Sequence, residues 1–283
     1  MNYFDLHCDT ATVIYDNKLS LLSPSLTCSA LFADKFNKWF QCFAVFVNDN
    51  NKQPFKYYNS VISNLKTELN TLNLSNLSPV FTVENAVVLE NNLSNLYKLC
   101  DDGVKMITLT WNGENALGGG VNSFSGLKEF GKDAIKIMNS LKIATDLSHL
   151  NDKSFYEAVE ISRFPVATHS CFNEIFYHKR NLTLDKLKLI SEKNGIVGIC
   201  LYPAFLGGDN VYERFLRTVY LWLENGLENN IAIGSDFDGC DTYVKMADIP
   251  DLYRYLSING IKEDTLDKLF FNNAFNYLKS LTK

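Results

Sequence analysis

Apolar residues recur along the chain in short, nearly unbroken runs. Eight have the length and side-chain mix of strands: 3–9, 39–47, 80–84, 105–111, 142–149, 165–169, 196–202 and 231–238. Most do not alternate polar with apolar positions, and strands of a parallel sheet buried on both faces have this pattern. The segments between them carry helical spacing. Residues 90–102 place Leu93, Leu96 and Leu99 at near-helical intervals and stop at Gly103. Further helices are predicted over 127–141, 155–162, 184–193, 211–227 and 264–278, the third ending at Asn194-Gly195, a natural helix stop. Strands alternating with helices in this order predict an α/β fold, a (β/α)8 barrel of the TIM type, as one domain over residues 1–283. An open doubly wound sheet is the second arrangement the order allows.

Composition narrows the partners. The 283 residues suffice for a large core, and 46% apolar with 21% charged residues is ordinary for a globular protein. A net charge of −5 argues against a nucleic-acid partner, which normally demands a basic face. No stretch approaches the roughly 18 apolar residues of a membrane-spanning helix, and no basic, then apolar, leader opens the chain. The sequence therefore predicts a cytoplasmic protein with no membrane partner. The seven cysteines are scattered without a C-x-x-C, several inside apolar runs, and read as reduced, buried thiols. Neither G-x-G-x-x-G nor a P-loop occurs, and Gly118-Gly119-Gly120 reads as a loop turn.

Chemistry in a barrel collects at the C-terminal ends of the strands. Those ends carry His7 and Asp9, Glu84, Trp111 and Asn112, His149, His169, and Asp236 with Asp238. Residues i and i+2 of a strand share a face, so His7 and Asp9 aim into one space while Cys8 packs behind them. Alone that pair is a weak signal, because an aspartate after a strand also caps the next helix. Three of the chain's four histidines, however, stand at predicted strand ends. Three imidazoles with Asp9, Glu84 and Asp236 suit a pair of divalent metals better than one tetrahedral zinc, and Glu84 has two oxygens with which to span them. Such a pair acidifies a shared water and polarises a carbonyl, leaving an aspartate to move the proton.

In this order the residues resemble the membrane (renal) dipeptidases and their bacterial relatives, metallopeptidases of the amidohydrolase-like barrel group. The likeness runs through 5–10, Val83-Glu84, 107–112, Gly126-Leu127, 130–132, 146–150, 165–170, Arg180-Asn181, 202–206, 234–239 and 273–275. It implies a zinc-dependent dipeptidase with two Zn2+ per chain: His7 and Asp9 on the first, Glu84 bridging, His149 and His169 on the second. It further implies Asp236 as the acid/base and Arg180 as the cation that binds the substrate's terminal carboxylate. A surface charge is the other reading of Arg180. Trp111, Asn112 and Tyr202 join the substrate-binding set. Trp111 stands where the animal enzymes carry a histidine and offers one N–H, so Asn112 is the candidate substitute donor. The segment 206–231 is short for the family. A dipeptide substrate, tolerance of a D-residue on its C-terminal side and a homodimer follow from the same likeness. Two other functions stay open on the residues: hydrolysis of another amide, lactone or N-acyl amino acid on the same metals, and a barrel that binds a ligand without catalysis. Asp5 and Thr10 read as supporting residues, Asp238 as the residue that orients the last turn, and His178 as solvated.

Overall fold

All eight apolar runs pair, in chain order. The computed structural model describes residues 1–208 and 210–282. Its strands are β1 (Asn2–Cys8), β2 (Lys38–Phe46), β3 (Leu77–Glu84), β4 (Val104–Thr108), β5 (Ala144–Asp146), β6 (Pro165–Ser170), β7 (Ile196–Ile199) and β8 (Ile231–Ile233). Each lies parallel to the next, and β8 returns to β1, so the sheet is a closed barrel rather than an open one. The β2–β3 ladder is the most extensive, from Trp39↔Leu77 to Phe46↔Glu84. The β1–β8 ladder is a single pair, Asp5↔Ile233.

Helices surround the barrel: α1 (Thr10–Asn17), α2 (Pro54–Leu72), α3 (Asn95–Asp101), α4 (Glu129–Leu141), α5 (Asp152–Ile161), α6 (Leu184–Glu192), α7 (Pro203–Leu206), α8 (Val211–Glu224), α9 (Ile249–Ile258), α10 (Glu263–Asp267) and α11 (Asn273–Ser280). Helices α1, α2, α7 and α9 lie outside the predicted helices. The signal for α2 was available: Pro54 sits in its first turn, and its buried Tyr58, Val61, Ile62 and Leu65 follow the i, i+3, i+4, i+7 pattern. The helix expected over 90–102 starts late, at Asn95, because Glu90 and Asn91 are left-handed (φ 49° and 56°) after a 3-10 turn. The one expected over 264–278 is broken by a π turn at Lys268–Asn272. Strands β5, β7 and β8 are shorter than their runs, and the remainders form loops at the barrel mouth.

Two apolar layers hold this frame. Inside the barrel lie Phe4, Leu6, Cys42, Val80, Met106, Ala144, Val166, Ile196 and Ala232, closed from below by Phe271, Ala274, Tyr277 and Leu281. Phe4 stacks on Phe40 with ring centres 5.2 Å apart and also meets Phe271. The Tyr277 hydroxyl lies 3.0 Å from the Phe164 carbonyl, tying the plug to the start of β6. The second layer, between barrel and helices, includes Tyr3, Trp39, Phe43 and Trp222. Large aromatics thus fill the lower half of the barrel and leave the upper half to polar groups. Among the described residues no helix is long and apolar enough to cross a membrane. Replacing Phe4 with Ala opens a cavity at the centre of the lower layer, with an expected loss of about 3–5 kcal/mol. A lower urea midpoint at unchanged m-value checks it.

Candidate metal centre

Two irregularities in the strands deliver the first imidazoles. In β1, Tyr3 belongs to the outer layer and Phe4 and Leu6 to the inner one, so strict alternation sends His7 outward. The register slips between Asp5 and Cys8 instead, and His7 turns into the mouth while Cys8 packs in the outer layer. In β6, Val166 is inner and Ala167 outer, and a second slip between Ala167 and Ser170 lets Thr168 and His169 both face the centre. Bulges commonly re-aim side chains in this way beside active sites. Asp9 occupies the N-cap position of α1, yet its carboxylate makes no capping bond; Oδ2 lies 3.5 Å from His7 Nε2. Glu84 ends β3. His149 and Asp236 lie beyond β5 and β8 in left-handed turns, φ 69° and 65°. Between Asp9 and Asp236 the chain must be glycine: a Cβ on Gly239 would stand 2.1 Å from Asp9 Oδ2.

The six groups converge. Glu84 divides its oxygens, Oε1 at 3.0 Å from His149 Nε2 and Oε2 at 3.4 Å from His7 Nε2. His149 Nε2 and His169 Nε2 are 2.8 Å apart. Asp236 Oδ1 is 3.9 Å from His7 Nε2. Proximity alone groups His7 with Glu84 and His169, and His7 with Asp9 and Asp236, so Asp236 lies within ligand reach as well. All but Asp236 are buried.

The outer hydrogen bonds show what this cluster lacks. Asp146 accepts from Thr108 and Thr168 hydroxyls, each at 2.6 Å, so Thr168 Oγ1 is left to accept from His169 Nδ1 at 2.9 Å. Asn112 Oδ1 faces His149 Nδ1 at 3.0 Å and can only accept. Both rings therefore spend their N–H on Nδ1 and present bare Nε2 lone pairs to each other and to Glu84. A cation resolves that conflict, and an imidazole whose other nitrogen is held by an oxygen is the usual form of a metal ligand. His7 Nε2 and Asp9 Oδ1 are buried with no hydrogen-bond partner among the described residues, again as ligand atoms would be.

Electrostatics agree. Burial holds His149 and His169 below the usual imidazole range, with Arg180 adding to it at His149 and His7 at His169. Burial also opposes charge on His7 and Glu84, but contact with Asp9 and Glu84 lifts His7 well above its ordinary value, and contact with His149 and His7 holds Glu84 well below. Burial, then the Glu84 charge, pushes Asp9 up to about 8.

A cavity of about 380 Å³ opens onto the cluster and is lined by the other expected residues, Trp111, Asn112, Arg180 and Tyr202. Larger cavities, about 880 Å³ beyond Tyr202 and Cys240, about 490 Å³ at the far end of the barrel and about 420 Å³ between α5 and α6, hold none of the six groups. Trp111 meets Phe46 edge-on at 5.4 Å. Arg180 is no surface charge: it is 5% exposed, its Nη2 reaches the His169 carbonyl at 3.4 Å, and its Nε has no partner. Among the described residues no carboxylate forms an ion pair with it. His178 is not simply solvated, because its ring lies 4.7 Å from that of Phe205 and its Nδ1 accepts from Arg180 N. Asp5, Thr10 and Asp238 do support the centre. Asp5 accepts from Ser235 N and Oγ at 2.8 and 2.6 Å, and Asp238 binds the hydroxyls of Thr10 and Thr27. The sequence reading had missed Asp146 and Thr168, whose clue was only their place inside the two histidine motifs.

Residues 26–283 match the membrane dipeptidase family, peptidase family M19. The chain belongs to that family. It is a metallo-dipeptidase, as the resemblance implied. The match begins after His7 and Asp9, so these two rest on the geometry above. An uncharacterized protein in the pqqA 5' region of Klebsiella pneumoniae is 34% identical over 197 residues, 63% of this chain and 73% of the relative. The uncharacterized dipeptidase C3A11.10c of Schizosaccharomyces pombe is 27% identical over 222 residues, 73% of this chain and 54% of its own. Among solved structures, a metallopeptidase from Rhodobacter sphaeroides liganded with a phosphinate mimic of the dipeptide L-Ala-D-Ala superposes with a TM-score of 0.87 at 21% identity, covering 99% of both chains. A second, dipeptidase AC, a family M19 metallopeptidase, gives 0.88 at 22% identity over 99% of this chain and 98% of its own. At these identities the superpositions speak for the barrel.

Metal ligands must be deprotonated, and Asp9 keeps its proton up to about pH 8 in the metal-free centre. Below that pH, cation uptake must expel the Asp9 proton together with the one that His7 holds, so apparent affinity rises with pH. Calorimetric titration in two buffers of different ionisation enthalpy should detect more proton release at pH 6.5 than at pH 9.

Proposed function

We propose that the protein hydrolyses the peptide bond of dipeptides with two zinc ions held by His7, Asp9, Glu84, His149 and His169. The observation that carries this reading is Arg180, a buried cation without a carboxylate partner beside the imidazole and carboxylate cluster. A buried guanidinium without an anion is costly, and a planar carboxylate suits its fork. Its bond to the His169 carbonyl holds it in the wall of the cavity that opens on the cluster. A peptide carboxylate on Arg180 would direct the preceding peptide carbonyl toward the centre.

When bound, the zinc pair supplies an acidified water and a polarised carbonyl. The remaining work falls to side chains. Asp236 takes the proton from the attacking water and delivers it to the leaving amine. Phe205 lies beneath the Arg180 guanidinium at 5.3 Å and holds it flat for the carboxylate. Trp111 and Phe46 give the cavity an apolar wall, Tyr202 bounds it beside Phe205, and Asn112 orients His149 through Oδ1 while its amide N–H2 remains for the substrate. The L-Ala-D-Ala mimic on the Rhodobacter protein supports a D-residue on the C-terminal side here. We read the active form as one domain, paired as a homodimer, in the cytoplasm, where its seven free thiols persist.

Zinc-loaded protein offered L,L- and L,D-dipeptides beside N-acyl amino acids and lactones should turn over dipeptides, and turnover of none of them would overturn the reading. Asp236→Asn should keep its zinc and lose nearly all turnover, and an active variant would remove Asp236 from its role. Arg180→Met should cost a free dipeptide about 2–5 kcal/mol in kcat/KM, roughly thirtyfold or more. The same dipeptide amidated at its C-terminus should lose far less.

A further inference from the structure

We propose that Cys200 and Cys240 are positioning residues that hold the Asp236 carboxylate with one oxygen fixed and the other turned to the reacting centre. This rests on the reading of Asp236 as the proton carrier. Cys240 Sγ stands 3.4 Å from Asp236 Oδ2, and Cys200 Sγ, arriving from the loop after β7, stands 3.6 Å from the same oxygen. Among the described residues no other hydrogen bond is made to that carboxylate. Its other oxygen, Oδ1, faces His7 Nε2 at 3.9 Å, on the side where a Cβ on Gly239 would crowd both Asp9 and Asp236. The two oxygens therefore have different surroundings, thiols on one side and the cluster on the other.

Buried cysteines ordinarily act as small apolar fillers. Three features set this pair apart. Two thiols from separate loops converge on one oxygen. The Tyr202 N–H donates to Cys200 Sγ at 3.4 Å, so the Cys200 S–H points away from it, with Asp236 Oδ2 and the Cys171 thiol as its neighbours. Cys240 lines the catalytic cavity rather than the core. Burial raises the pKa of both thiols, with the neighbouring Cys171 thiol and then Asp236 adding to it at Cys200 and Asp236 at Cys240, so both remain S–H donors. The S–H bonds fix the direction of that oxygen, and a hydroxyl in either place can do the same. Asp236 needs that support because it stands in a left-handed turn outside the strand ladder.

The test compares zinc-loaded wild type with Cys200→Ala/Cys240→Ala and Cys200→Ser/Cys240→Ser. The Ala pair should lose roughly ten- to a hundredfold in kcat, with KM and zinc content unchanged. The Ser pair keeps donors and should recover most of that loss. Wild-type kcat in the Ala pair, or a Ser pair no better than Ala, overturns the proposal. Should the Ala pair not fold, Cys240→Ala alone, at the cavity wall, should still lower kcat severalfold, and an undiminished kcat there overturns it equally. A zinc-bound crystal structure of an Ala variant, the pair or the Cys240 single, gives a reading independent of substrate: the Asp236 carboxylate should rotate, and an unmoved carboxylate overturns the proposal. If wild type turns over no dipeptide, the functional reading fails while this arm still decides the role of the thiols.

Discussion

Three imidazoles and three carboxylates at the mouth of this barrel cannot satisfy one another. The proton-bearing nitrogens of His149 and His169 are committed outward, to Asn112 and Thr168, and their lone pairs point inward at 2.8–3.0 Å. Such an arrangement is expensive in a low-dielectric interior unless positive charge enters it. The fold is built to sustain that demand: strand β3 ends on Glu84, two register slips turn His7 and His169 inward, and left-handed turns bring in His149 and Asp236. Strained turns of this kind persist where the surroundings over-determine them. Here Asp146, Asp5 and Asp238 do so, each accepting several short hydrogen bonds from neighbouring loops.

The lower half of the barrel makes the upper half affordable. Phe4, Phe40, Phe271 and Tyr277 fill it tightly, and their burial supplies the apolar stabilisation that the polar half lacks. The division also explains why the chemistry sits at one end. Along one strand such as β3, Val80 belongs to the packed layer and Glu84, four residues on, to the centre.

Much of this was readable from the chain. Strands buried on both faces leave long apolar runs, so all eight were visible, and strand-end position singled out His7, Asp9, Glu84, His149, His169 and Asp236 before any coordinates. What could not be read depends on contacts between distant residues. Asn112 looks like a free donor until His149, 37 positions away, is seen against its carbonyl oxygen. Arg180 looks like a loop charge until its burial is known. The slips in β1 and β6 leave no mark in composition, because a bulge is a relation between two strands. Helix α2 was a different kind of miss, since its spacing was present and the Asn-rich surroundings masked it.

The single-pair ladder between β1 and β8 has a consequence for how the protein is made. Around Asp5↔Ile233 the two strands are joined mostly by the chemistry of the mouth: Asp5 on Ser235, Asp9 N on the Phe237 carbonyl, Asp236 N on that of His7. Asp236 leaves the ribosome more than two hundred residues after His7 and Asp9. A growing chain therefore carries half of the cluster over that length with nothing to complete it. Closure of the barrel and assembly of the six-residue cluster therefore coincide, and a cation held there would fasten the first strand to the last.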